Sequence, residues 1–296
     1  MTSPAVQPAL SEEILRKNRE IYSETSSVVW FLAIYGGAHA GWEFINLGGA
    51  DALDRVAAHS GLLAGQSALE LCAGRGATCL YMAEKYGCRV TGVEMNPGQV
   101  AAARELLSQR NTAAARRVEI VAGDVLRYRT ARSFHLAYSI DSAMLIADIP
   151  QFLHVAYRAL RPGGRIEIVT IGAGPAIEET LRSFAWEIDG MISLLAPAEW
   201  ESRLRECGFV ETSVDDLTQI AIDRSLQIDE ALARNRQAIA AAEGEAGYAG
   251  WVNVGKAYLS AFLNKRLSYL HIAGIKSATA EKSGRVQSLY NKDSGN

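Results

Sequence analysis

The chain has 296 residues, 49% of them hydrophobic, and a formal charge of −3. A chain of this length buries roughly three quarters of its unfolded surface, either as one elaborated domain or as a domain with a cap. Its lysines and arginines are scattered, which excludes the basic footprint of a nucleic-acid binder, and no apolar run approaches the roughly 18 residues of a membrane span.

The first ten residues have neither a basic start nor an apolar leader core, so the chain reads as cytoplasmic. Cys72, Cys79, Cys88 and Cys207 lack C-x-x-C spacing and fall inside expected strands and helices, as buried thiols of a reducing compartment do. Residues 1–60 are expected to form a helical lid segment. It looks helical from Ser11 and then holds the aromatic, glycine-rich run Trp30-Phe-Leu-Ala-Ile-Tyr-Gly-Gly-Ala-His-Ala-Gly-Trp42.

From 61 to 219 the pattern alternates. It predicts a strand at Ala68, a helix over Ala77–Tyr86, a strand at Arg89, and a helix after Asn96-Pro97 with proline in its first position. Strands follow at Val118–Ala122 and His135–Ile140, then a helix from about Asp148 to Leu160 and the Arg161-Pro-Gly-Gly164 turn into Arg165–Ile171. Such alternation means a parallel sheet with helices on both faces. Ala198 to Cys207 reads as a helix ending at a glycine, and Val210 to Leu217 as a strand. Residues 220–266 read as a helical cap insertion with Ile228, Leu232 and Ile239 on one face. Within it Tyr248, Trp251, Tyr258 and Phe262 share a face if the helix is continuous, to pack a core or to line an acceptor site. A final strand over 267–276 and a polar tail over 277–296 close the chain.

The chemistry concentrates at Ala68-Leu-Glu-Leu-Cys-Ala-Gly-Arg-Gly76, where a buried strand runs through a glycine turn into a helix. Gly74 and Gly76 let the backbone approach a ligand without a Cβ in the way, and the N–H groups at the helix start face it. Glu94, at the end of the next strand, is placed to accept both hydroxyls of an adenosyl ribose and to repel a 2′-phosphate. Reading G-x-G-x-x-G from Gly74 puts Cys79 where a dinucleotide site needs a third small residue, which counts against a nicotinamide cofactor.

Glu70, Gly74 and Gly76 resemble the first motif of the class I S-adenosylmethionine (SAM)-dependent methyltransferases. Leu160-Arg-Pro-Gly-Gly-Arg165 is similar to that family's link into its fifth strand. Cys72 stands where the family usually has its first glycine, which crowds the turn. The resemblance implies a Rossmann-like α/β fold with a seven-stranded, mostly parallel sheet, its last strand antiparallel, and SAM as cofactor. It further implies that Met95 packs on adenine, that Asp124, followed by Val125, accepts the adenine amino group, and that Ser139 and Tyr22 line the SAM pocket. Glu70 would orient the methionyl amino group or the loop itself. Asp124 has the alternative of capping a turn after its strand. The Tyr35-Gly-Gly-x-His-x-Gly41 pattern is similar to the lead-in of the sarcosine and dimethylglycine type of methyltransferases, which folds over the SAM site, with Tyr35 in place of a tryptophan.

Two residues are candidates for catalysis. Asp141, after the fourth strand, either binds an acceptor amine or takes a proton, or it satisfies local backbone N–H groups. His39 serves either as a base or as a structural histidine. No metal is expected, because neither cysteine pairs nor clustered acids stand out. The expected activity is methyl transfer from SAM to a small-molecule acceptor, amine nitrogen favoured over oxygen or carbon. The rivals are a nicotinamide-dependent oxidoreductase and a SAM-binding protein without transfer activity. No nucleic-acid or membrane partner is expected, and homo-oligomerisation stays open.

Overall fold

The computed structural model describes residues 29–39 and 41–278, with Glu13, Arg16, Lys17, Glu20 and Ile21 ahead of them. Tyr22, the first ten residues and the tail beyond residue 278 lie outside the described residues.

Seven strands form one sheet: β1 (Ser67–Leu71), β2 (Arg89–Glu94), β3 (Val118–Ala122), β4 (Phe134–Ile140), β5 (Leu160–Ala173), β6 (Phe209–Asp216) and β7 (Leu267–Lys276). Their order is β3-β2-β1-β4-β5-β7-β6. The first five run parallel, and β7 inserts antiparallel between β5 and β6. The order reverses at β1, which has β2 on one side and β4 on the other, and the crevice outside the carboxyl ends of those strands is where an open sheet takes ligands. Consecutive residues of β1 are buried on both faces, Ala68, Leu69 and Leu71 fully and Glu70 nearly so, as in a sheet covered on both sides.

The expected helices appear with local reasons for their ends. Helix α1 (Gly49–Ser60) stops at Gly61, whose φ is +63°. Helix α2 (Ala77–Tyr86) stops at Gly87, with φ +68°. Asn96 caps α3 (Pro97–Arg110), its side chain accepting from the N–H groups of Gly98 and Gln99 ahead of a proline start. Asp148 caps α4 (Ile149–Ala159) by accepting from Gln151. Leu53, Val56, Leu80 and Met82 of α1 and α2 fill one face of the sheet, and Phe152 and Leu153 of α4 fill the other. Trp200 and Leu204 of α6 (Pro197–Glu206) complete that second layer.

Two segments differ from expectation. Helix α1 falls inside the expected lid, yet Ala52, Leu53, Val56 and Ala57 bury its apolar face in the main core. Helix α5 (Glu179–Asp189), ending at Gly190, occupies a stretch where the sequence analysis placed no element. The insertion forms α7 (Thr218–Arg234) and α8 (Arg236–Leu263), the latter broken at Gly244 by a φ of +77°. Helix α7 packs on a π-helical segment, Trp30–Ala38, so closely that a Cβ on Gly37 would lie 2.5 Å from the Ala231 Cβ. Tyr248 and Trp251 join Val29, Ala33 and Ile239 in a small separate core there, while Phe262 belongs to the main one. Among the described residues no helix is long and apolar enough to cross a membrane.

Candidate active site

A cavity of about 440 Å³ opens at the carboxyl ends of β1, β2 and β4, the size range of small-molecule sites. Its floor is the turn between β1 and α2. Ala73 N–H donates to Val93 O at 2.9 Å, and Gly74, with φ +53°, donates its N–H to Glu94 Oε2 at 2.9 Å. The second oxygen of Glu94 accepts from Asn96 N–H at 2.8 Å. One carboxylate thus ties the β1 turn to the β2 turn. Burial pushes the Glu94 carboxyl up, partly offset by these backbone donors.

The segment before α1 closes over this floor. Trp42 and Phe44 stack at 5.3 Å, both meet Tyr81 edge-on, and Glu43 pairs with Arg75 of the turn at 2.8 Å. Ile45 lies over Gly74 so that a Cβ there would sit 2.7 Å from its Cδ1. Gly74 is therefore required twice, by its φ and by its neighbour.

Cys72 pays for its position. Its φ is +67°, the left-handed region that costs a side-chain-bearing residue about 1–2 kcal/mol. Cys72→Gly is expected to stabilise the chain by about 1 kcal/mol after the entropy of the freer unfolded chain is deducted, read as a rise in melting midpoint of roughly 2–4 °C. A lower midpoint would show that the thiol's packing outweighs the strain.

Glu70 lies at the end of β1, buried, and accepts from Thr78 Oγ1 at 2.6 Å, Cys79 Sγ at 2.8 Å and Tyr138 Oη at 2.9 Å. Burial raises its carboxyl to about 7. These donors come from the first turn of α2 and from β4, so in this structure Glu70 holds the helix start rather than the N–H groups of the turn. Cys79 fits because the strand supplies the room: a Cβ on Gly92 would lie 2.7 Å from its Sγ.

Asp141 is the second strained residue, with φ +48°. Its N–H donates to Val169 O at 2.8 Å, and its Oδ2 accepts from Leu47 N–H at 2.5 Å and from Tyr269 Oη at 3.1 Å. Its Oδ1 is buried without a partner, and burial carries the carboxyl to about 7. Asn46, next to the Leu47 that binds Asp141, shows the complementary situation: its Oδ1 accepts from Gly49 N–H at 2.6 Å, while its Nδ2 is buried without a partner.

Of the residues singled out from sequence, Glu70, Gly74, Glu94, Met95, Asp124, Val125 and Asp141 line this cavity. Asp124 does so while its side chain accepts from Leu126 N–H at 2.9 Å and caps a short helical turn, the alternative role weighed for it. Four of the expected site residues do not line this cavity or lie outside the described residues. Gly76 does not line the cavity; its φ of +76° and the 3.0 Å approach of the Ala103 Cβ make it a helix-start glycine packed against α3. Ser139 is fully buried inside β4 away from the cavity, and Ser142, beyond the turn at Asp141, takes the wall position. His39 also lies off the cavity, packed edge-on to Phe44 at 5.6 Å; burial, then the nearby Arg224 cation, hold its imidazole down at about 3, too weak a base to take a proton near neutrality. Tyr22 lies outside the described residues. The aromatic residues of the insertion do not line the cavity either, and Tyr258 instead hydrogen-bonds Asp189 and touches Phe184. Among the lining residues that sequence missed are Ile45 and Asn46; the Gly48-Gly49 pair that follows them was the available sign of a tight turn.

Five carboxylates line the cavity, those of Glu70, Glu94, Asp124, Asp141 and Asp148, against one lining cation, the exposed Arg127 beside Asp124. A site of that charge favours a cationic ligand and disfavours a diphosphate.

A sheet in this order, its last strand antiparallel and its cavity at the β1 turn, is the fold of the class I SAM-dependent methyltransferases. Residues 68–164 match the family model described as a methyltransferase domain. Among curated relatives, phosphoethanolamine N-methyltransferase 1 of Arabidopsis thaliana is 23% identical over 184 residues, 60% of this chain and 35% of that protein. The 27-O-demethylrifamycin SV methyltransferase of Amycolatopsis mediterranei is 25% identical over 169 residues, 56% of this chain and 62% of that protein. The chain thus spans less than two thirds of the length of either relative. Among solved structures, Haemonchus contortus phosphoethanolamine N-methyltransferase 2, with phosphomonomethylethanolamine and S-adenosylhomocysteine, superposes with a TM-score of 0.78 at 21% identity, covering 91% of this chain and 61% of that one. A Galdieria sulphuraria protein described as a putative sarcosine dimethylglycine methyltransferase gives 0.68 at 16% identity, covering 77% and 85%.

Proposed function

We propose that this chain transfers a methyl group from SAM to a small-molecule acceptor, amine nitrogen favoured over oxygen or carbon. The observation that carries the reading is the Gly74 turn bound to Glu94 at the floor of an acidic cavity. The backbone there admits a ligand, and the carboxylate is placed for a ribose diol. The surrounding negative charge suits a sulfonium and an ammonium and opposes the diphosphate of a nicotinamide cofactor. Met95, Asp124 and Val125 form the adenine end, and Glu70 sets the first turn of α2 beneath the methionyl end.

SAM, when bound, supplies an electrophilic methyl whose transfer to an amine lone pair releases a neutral thioether. The chain's own residues align and exclude water. Asp141 Oδ1 accepts an N–H of the acceptor amine and, held near neutrality, takes the proton that the methylated nitrogen sheds. Asn46 Nδ2, also without a partner, donates to the ligand from beside Asp141. The N-methyltransferases among the relatives support an amine acceptor, and the rifamycin enzyme keeps oxygen as the second reading. Free thiols at all four cysteines support a cytoplasmic location.

Calorimetric titration with SAM, S-adenosylhomocysteine and NAD in parallel tests the reading. Micromolar binding of the first two without NAD is expected; NAD binding alone overturns it.

A further inference from the structure

Sequence spacing offers no metal motif, but the fold assembles one from three distant elements. His59 in the last turn of α1, Glu167 in β5 and His271 in β7 bring their donor atoms within 4.8 Å of one another. His59 Nδ1 lies 3.0 Å from Glu167 Oε1, and His271 Nε2 lies 2.7 Å from Glu167 Oε2. The two imidazoles stand edge to face at 5.0 Å. Glu167 and His271 have no exposed side-chain surface, whereas the His59 side chain is 28% exposed and gives the cluster a way out to solvent. None of the three lines the methyl-transfer cavity.

A fully buried carboxylate between two imidazoles is an expensive way to pack a helix on a sheet, since apolar groups of the same volume do that at less cost. We propose that His59 Nδ1, Glu167 and His271 Nε2 bind a divalent transition metal of the zinc type. Two imidazoles and one carboxylate are the donor set of such ions and not of magnesium or calcium, and three protein ligands leave a fourth position for water on the His59 side.

The neighbouring groups accommodate the exchange. In the metal-free protein Arg165 Nε sits 3.2 Å from Glu167 Oε1, and Arg55 Nε sits 3.3 Å from His271 Nδ1 while its terminal nitrogen pairs with Asp215 at 2.5 Å. The Arg165 and Arg55 side chains keep 25% and 42% of their surface exposed, so both reach water by rotation. On metal entry each imidazole gives up the proton on its metal-binding nitrogen, His59 Nδ1 and His271 Nε2, and takes one from solvent on its other nitrogen, so both rings stay neutral as Arg55 Nε withdraws from His271 Nδ1. Arg165 then leaves Glu167, and the His271 Nδ1–H turns to Asp215 Oδ2, now 3.9 Å away, as the outer carboxylate that orients a metal-bound imidazole. The bound ion clamps the end of α1 to β5 and β7. The start of that helix follows the Leu47–Gly49 strap over Asp141, so the clamp stiffens the strap from its far end and takes no part in methyl transfer.

The test uses the purified full chain after chelator treatment, titrated with Zn²⁺ by calorimetry and with Co²⁺ by visible absorption. About one equivalent is expected to bind, to raise the melting midpoint by roughly 5 °C at a hundredfold excess over Kd, and to give the intense visible bands of four-coordinate Co²⁺. His59→Ala, which changes the most exposed of the ligands, is expected to lose all three responses while binding S-adenosylhomocysteine as before. Absence of heat, midpoint shift and bands in the parent chain overturns the proposal, as does an unchanged response in His59→Ala.

Discussion

Glu94→Ala is expected to weaken SAM binding by about 1.5–3 kcal/mol, roughly tenfold to more than a hundredfold, because hydrogen bonds to a charged acceptor carry about that much. The effect has two parts. The carboxylate faces the cavity where a ribose diol would bind, and it also fastens Gly74 N–H and Asn96 N–H at 2.9 and 2.8 Å. Alanine removes both the ligand contact and the tie between the turns. Glu94→Gln separates them, since its carbonyl oxygen still accepts one backbone N–H while its amide brings a donor toward the other. Calorimetry on both variants, with melting curves to establish that they fold, reads the outcome. Unchanged affinity in Glu94→Ala removes the ribose assignment. Loss in alanine with retention in glutamine assigns the effect to the turn.

Asp141→Asn is expected to lower kcat/KM for the acceptor tenfold to a hundredfold, the range for losing one charge-assisted hydrogen bond. It also changes how stability depends on pH. Burial carries the Asp141 carboxyl from 3.8 to about 7 in the folded chain. Between those values the folded state holds a proton that the unfolded state has released. Stability of the ligand-free chain therefore falls as pH rises through that window, by a few kcal/mol in all on the order of 1.4 kcal/mol per pH unit. Glu70, raised from 4.5 to about 7 by burial, contributes in the same direction. Melting midpoints from about pH 5 to 8 should decline in the parent protein and decline less in Asp141→Asn, where the other carboxyls raised by burial, Glu70 and Glu94 among them, remain. A rising midpoint above about pH 6.5, where the buried neutral His39 no longer works in the opposite direction, would mean that Asp141 and Glu70 are both ionised in the fold. An equal slope in the two proteins would exclude Asp141 from the effect. A cationic ligand should reverse part of the decline by holding Asp141 charged.

What was legible in the sequence is what is local. The glycine turn, Glu94 at a strand end, the proline start after Asn96 and the Leu160–Arg165 link each declare themselves within a few residues, and the sheet follows from their alternation. Asp141 was readable as a strand-end acid, but its two anchors were not, because Leu47 and Tyr269 lie 94 and 128 residues away. His39 kept two readings for a related reason: no neighbouring residue says that Phe44 will meet its ring edge-on or that burial and Arg224 will hold it neutral. Ser139 and Ser142 differ only in which side of a left-handed residue they fall, and nothing in the sequence announced that Asp141 would adopt that conformation. Helix α1 fell inside the segment expected as a lid, which was drawn from residue 1 to residue 60 ahead of the sheet. Its alanines suffice only because the sheet beneath it is already apolar.

The place of β7 in the sheet bears on how the molecule comes to exist at all. Strand β6 touches the rest of the sheet only through β7, and β7 is made last of the seven. While a ribosome adds the residues between β5 and β7, on the order of ten seconds of synthesis, β5 presents a bare edge and Asp141 has no Tyr269 hydroxyl to hold it. The nascent chain spends that interval with an open template for pairing with other chains, the exposure that chaperones shield. The Tyr269 bond to Asp141 and the covering of the β5 edge are then one event, so the candidate site is completed by the same strand that hides that edge.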